Sequence, residues 1–199
     1  MKRRNQGKAL VVVLLIALLG GLGYAGYVFF VKAKTPEHAL TRFLTAAKNN
    51  DEATVNELAD RNSLFLNQFG SAIGANEPVA LIFPGYQGMR EESVDSFTVG
   101  QAKTEEHASV VDTTLNLKSK SGESRRINVN YHMKKTEEGK WMVAVEQTAG
   151  NNALVLLTTK ETTDLKKMVQ SFLRQNPAAG AMLGPLLNQY PQIKQALGI

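Results

Sequence analysis

The stretch Arg126–Lys135 reads RINVNYHMKK, and its alternation decides the fold. Ile127, Val129, Tyr131 and Met133 fall on one side of an extended chain, with Asn128, Asn130 and His132 on the other. A period of two marks a strand with one face buried and the other in water. Turn-forming runs bracket it, Ser119-Lys120-Ser121-Gly122-Glu123 before and Thr136-Glu137-Glu138-Gly139-Lys140 after, so neighbouring strands are expected to fold back antiparallel.

The same period extends in both directions. Upstream, Ala108–Lys118 carries Val111, Thr113, Leu115 and Leu117 on one face, and Val94–Lys103 reads as the strand before it. Downstream, Trp141, Val143 and Val145 supply the inward side of a fourth strand. Before Arg90 the period is helical. Thr35-Pro36-Glu37 is a helix start, with Thr to cap free amides, Pro at the first helical position and an early acid to suit the dipole. Leu40, Phe43, Leu44 and Ala47 then follow the spacing of one buried face until Asn49-Asn50-Asp51 breaks it. Asp51 is expected to cap a second helix bearing Val55, Leu58 and Ala59. A third helical piece is expected around Leu64–Phe69. Residues 70–90 read as an irregular connection holding the apolar run Val79–Phe83.

Helices followed by a meander of strands predict an α+β domain, in which helices cover one face of a curved antiparallel sheet. The expected domain spans residues 35–147. Beyond it, residues 148–199 read as a mainly helical appendix. Ala153–Thr158 is expected as one more strand, and Thr163 or Asp164 as the start of a helix with Leu165, Met168, Val169, Phe172 and Leu173 on one side. Pro177, Gly180, Gly184, Pro185 and Pro191 then predict short turns separated by bends.

The sequence pI is about 9.4, which raises the question of nucleic acid. Residues 1–34 hold six Lys/Arg and no acid, leaving 17 basic against 18 acidic residues in the rest of the chain. The folded part is therefore nearly neutral, with no basic stripe interleaved with stacking aromatics, and a nucleic-acid partner is not expected. The basic residues instead flank Ala9–Val31, 23 residues without a charge. A helix of that length can cross about 30 Å of hydrocarbon. Four basic residues precede it and only Lys32 and Lys34 follow closely. The positive-inside rule then leaves residues 1–8 as a cytoplasmic tail and everything after Lys34 outside a bacterial-type cytoplasmic membrane. A cleaved signal peptide is the competing reading, with Val31-Lys32-Ala33 as a weak cleavage site, but the apolar stretch is long for one. Both readings export the domain. Within the span, Ala17, Gly21 and Ala25 lie four apart, a small-residue stripe along which two such helices can pack.

No cysteine is present, which excludes disulfides, thiolate metal sites, cysteine nucleophiles and a lipid-modified cysteine. His38, His107 and His132 are dispersed, and none is paired with another or with an acid at helical spacing, so no metal and no cofactor are expected. His132 is expected on the solvated side of its strand. Candidates for lining an interior pocket are Tyr131, Met133 and Trp141, although a tyrosine there more often fills the core while its hydroxyl meets a rim group or a backbone partner. No phosphate loop, nucleophile elbow or carboxylate pair appears, and no catalytic residue is assigned.

The membrane-proximal segment TPEHALTRFLTAAKNNDEATVNELA, the alternating strands and Gly139-Lys140-Trp141 in the last hairpin together resemble the nuclear-transport-factor-2-like superfamily over about residues 35–147, in particular its bacterial membrane-anchored branches of unknown function. That resemblance implies a cone-shaped, cystatin-like fold with a pocket between helices and sheet. Its members range from isomerases and dehydratases to transport adaptors and a periplasmic scaffold subunit of secretion systems, so fold alone does not choose among them. The expected function is a membrane-tethered, extracytoplasmic binding or scaffold module without enzymatic activity, with a protein partner or self-association. A small-molecule sensor or enzyme using an apolar cone pocket is the alternative.

Overall fold

A computed structural model describes residues 35–61, 77–175, 184–185 and 188–197. The expected transmembrane segment 9–31, the stripe Ala17, Gly21 and Ala25, and the helical piece around Leu64–Phe69 lie outside the described residues. Among the described residues, no helix is long and apolar enough to cross a membrane.

The domain begins with α1, Pro36–Lys48. Thr35 caps it as expected, its hydroxyl accepting from the His38 amide at 3.3 Å. Leu40, Phe43 and Leu44 are fully buried and Ala47 nearly so, so α1 contributes about 1.5–3 kcal/mol for each large apolar side chain it inserts. Asp51 caps α2, Glu52–Leu58, accepting from the Thr54 amide at 3.2 Å. The chain then enters β1, Ala59–Asp60. Of the irregular connection, Val79–Ile82 forms a single helical turn, α3. A tighter 3₁₀ turn follows at Tyr86–Gly88 and aims the Tyr86 ring inward.

Three long strands come next: β2, Glu92–Glu105; β3, Ala108–Ser119; and β4, Ser124–Lys135. They pair antiparallel through hairpins, and the inward sets predicted from alternation are the buried ones: Val111, Thr113, Leu115 and Leu117 on β3, and Ile127, Val129, Tyr131 and Met133 on β4. Strand β2 breaks register between Val94 and Ser96 and again between Val99 and Ala102. These bulges bend the long edge strand, as extra residues in a ladder do. Gly100 lies in the second bulge, where a Cβ would stand 2.7 Å from the Asp112 carbonyl oxygen. The side chains of α1 engage this edge directly: Glu37 accepts from the Ala102 amide at 3.0 Å, and the Lys48 ammonium donates to the Asp95 carbonyl. Satisfying edge groups in this way removes pairing positions that another chain could use.

The sheet has the order β1-β5-β4-β3-β2, with β5 at Trp141–Ala144. It is mixed, not purely antiparallel as expected, because β1 pairs parallel with β5 through Ala59–Val143 and Asp60–Ala144. The fold is α+β, with α1 across the concave apolar face. One cluster joins α1, α2, α3 and the inward residues of all five strands.

The fourth strand is shorter than expected, and the register explains why. Met133 stands opposite Val143, so a continued strand would place Val145 opposite Tyr131 and Gln147 opposite Val129, on the apolar side. The chain turns helical instead. Val145 begins α4, Val145–Leu156, which corrects the assignment of Val145 to a strand and of Ala153–Thr158 to a further strand. Helix α4 runs beside the open edge of β4 and serves it with side chains. The Thr148 hydroxyl accepts from the His132 amide at 3.0 Å. Asn152 acts as a peptide group would: its Oδ1 accepts from the Asn130 amide at 2.9 Å, while its Nδ2 donates to the Asn130 carbonyl at 2.9 Å and to the Thr148 carbonyl at 2.8 Å. Four helical residues rise about 6 Å and two strand residues about 6.8 Å, so one helix face stays nearly in step with alternate strand amides. Leu156, one turn further on, is buried in the core.

Helix α5, Thr159–Gln175, starts earlier than the expected Thr163 or Asp164 and is one continuous helix. The expected domain boundary at 147/148 falls within α4. Helix α6, Pro191–Leu197, packs on α4. The contact works because Gly150 leaves room for Tyr190: a Cβ there would lie 2.3 Å from the Tyr190 ring.

Candidate functional site

Four regions could carry chemistry: the interior, the rim of the core, the end of the sheet where β2 and β4 begin, and the outer face.

Among the described residues, the interior is a cluster of buried apolar side chains. Tyr131 and Met133 project from β4 and Trp141 from β5 into the same core, at 0, 2 and 6% exposure respectively. The Tyr131 hydroxyl donates to the Ile82 carbonyl at 2.7 Å, one of the carbonyls that the end of the short helix α3 leaves without an intrahelical partner. Burial alone pushes its pKa far up, so it remains a neutral donor. Trp141 also carries the Lys135 ammonium 5.7 Å above its ring. The structure thus brings the three candidate lining residues together in the core. The buried polar side chains there, Ser109, Thr113, Thr148 and Asn152, are uncharged.

At the rim of the core stand Arg61, Glu77 and Tyr86. Glu77 faces the Arg61 guanidinium at 3.3 Å and accepts from the Val79 amide at 3.1 Å. The Tyr86 hydroxyl and Arg61 Nε are buried without a well-formed hydrogen bond. Burial, and then the Glu77 charge, push the Tyr86 hydroxyl up in pKa.

At the end of the sheet where β2 and β4 begin, a charged network fixes the α4–α5 junction. Arg90 donates from Nε and Nη2 to Glu161, at 2.7 and 2.5 Å, and from Nη2 to the Leu156 carbonyl at 2.6 Å. Arg125 forks onto Glu92 at 3.0 and 2.6 Å and reaches the Val155 carbonyl at 3.2 Å. Two guanidiniums therefore serve the terminal carbonyls of α4, where the helix dipole favours positive charge. Glu161 also closes a capping box at the start of α5: it accepts from the Thr158 amide at 2.8 Å, while the Thr158 hydroxyl accepts from the Glu161 amide at 3.2 Å. Burial works to raise the Glu161 pKa, but the Arg90 and Thr158 hydrogen bonds outweigh it and hold the carboxyl below its ordinary value. With Lys160–Glu91 at 3.4 Å, the network pairs three cations with three acids. It holds helices in place, and Arg90 Nη1 is buried in it without a hydrogen-bond partner.

The outer face of the sheet differs in character. Ser96, Thr98, Asn128 and Asn130 are exposed, and Thr114 and Asn116 half-exposed. Registered neighbours bond in pairs, Thr114 to Asn128 at 3.0 Å and Asn116 to Ser96 at 2.9 Å. Charges stand toward its ends, at Lys118 and Arg126 on one side and at Lys103, Asp112 and Lys134 on the other. Arg126 stands opposite Asn116 and Asp112 opposite Asn130, so the uncharged part of this face is the single row Thr98, Thr114 and Asn128. His132 borders it and is half-buried, not open to solvent as expected, because Asn151 of α4 lies 3.0 Å from its Nε2. Burial lowers its pKa, favouring the neutral ring. His38 and His107 are far from it in sequence, and among the described residues no group of acids and histidines is placed to hold a metal.

Alternation marked this face as the wet side of β3 and β4, but could not place α4 along its border. The spacing of Thr148 and Asn152, two hydrogen-bonding residues four apart on an otherwise apolar helix face, was the available signal.

No protein-family model matches the chain, and no curated protein matches it. Among solved structures, the chain is similar to a protein from Campylobacter jejuni assigned as an NTF2-like transpeptidase, at 15% identity and a TM-score of 0.28, over 53% of this chain and 94% of that one. A likeness of that size carries no weight for fold or activity, and the architecture rests on the strand pairing itself.

Proposed function

We propose that the chain is a non-enzymatic binding or scaffold module, held on the outer side of a bacterial-type cytoplasmic membrane by residues 9–31, and that it engages a protein partner through the outer face of its sheet. The observation that carries this reading is the contrast between the two faces. The concave side is filled by apolar packing, and its tyrosine hydroxyl is spent on a backbone carbonyl. The opposite side presents donors and acceptors to solvent. Tethering adds to binding by confining both partners to one surface, which raises their effective concentration.

Protease shaving of intact cells and spheroplasts, combined with affinity capture of the full-length chain, tests the proposal. Residues 35–199 should be degraded from outside while an N-terminal tag survives, and a discrete extracytoplasmic protein should be co-purified. A protected domain would overturn the topology. Turnover of a small molecule by the purified chain, with no protein captured, would overturn the module.

A further inference from the structure

We draw no further inference here: the strongest candidate, the side-chain cluster of Arg61, Glu77 and Tyr86 at the rim of the core, presents two buried donors without well-formed bonds but has no open space against either atom in which a ligand could sit.

Discussion

Replacing Asn152 with alanine tests the way α4 substitutes for a strand. The native side chain makes three hydrogen bonds, to both backbone groups of Asn130 and to the Thr148 carbonyl, from a position 6% exposed. At about 1 kcal/mol net for each of the three, the loss should be about 3 kcal/mol. For a domain of this size that corresponds to roughly 10–15 °C in Tm. Amide hydrogen exchange by NMR locates the effect: Asn130 and His132 should lose protection well before the β3-facing amides of β4. Asn152→Asp separates bonding from packing. It keeps the shape and the acceptor for the Asn130 amide, but sets a carboxylate oxygen against two carbonyls, so its loss should match or exceed that of alanine. A Tm within about 2 °C of the parent in both variants, with Asn130 protection unchanged, would refute the edge-capping role.

Two further outcomes follow from the helical appendix. Glu161 has its carboxyl pKa lowered in the folded chain, so its contribution is fully present above the unfolded value of about 4.5 and is lost as pH falls through the lower folded value. Stability of the parent should therefore fall more steeply below pH 4.5 than that of Glu161→Gln, and identical acid limbs in chemical denaturation would contradict the network. Gly150→Ala should separate two effects. Helix propensity alone predicts a gain of up to about 1 kcal/mol, whereas the Cβ meets the Tyr190 ring at 2.3 Å. Limited proteolysis should cut near residue 190 faster in this variant while the sheet remains intact, and Gly150→Ala combined with Tyr190→Ala should show no further acceleration over Tyr190→Ala alone.

The strands and first helices were legible because each advertises a period over many residues. Ile127, Val129, Tyr131 and Met133 repeat at two, and Leu40, Phe43, Leu44 and Ala47 at helical spacing, so burying one side leaves a single solution. Strand β1 was invisible because two residues have no period, and its parallel pairing depends on where α2 delivers the chain. Helix α4 was misjudged at both ends. Val145 continues the inward alternation of Trp141 and Val143, and Ala153–Leu157 is apolar enough for a strand. Register decided against the first, since Gln147 would have met Val129, and tertiary context of that kind overrides local preference. His132 was placed on the correct side of its strand, but its partial burial comes from Asn151, 19 residues away. The candidate binding face was readable only as a polar face. Nothing in a linear pattern says whether a polar face stays uncovered.

Site-specific photo-crosslinking in living cells bears most directly on the proposed binding role. A photoreactive residue at Thr114 or Asn128, on the outer face of the sheet, is compared with one at Thr41, exposed on α1. Discrete adducts with one extracytoplasmic protein are expected from the first two positions and not from the third, and Asn128→Glu should abolish the Thr114 adduct without lowering Tm. Adducts arising from Thr41 while the sheet positions remain silent would contradict the proposal.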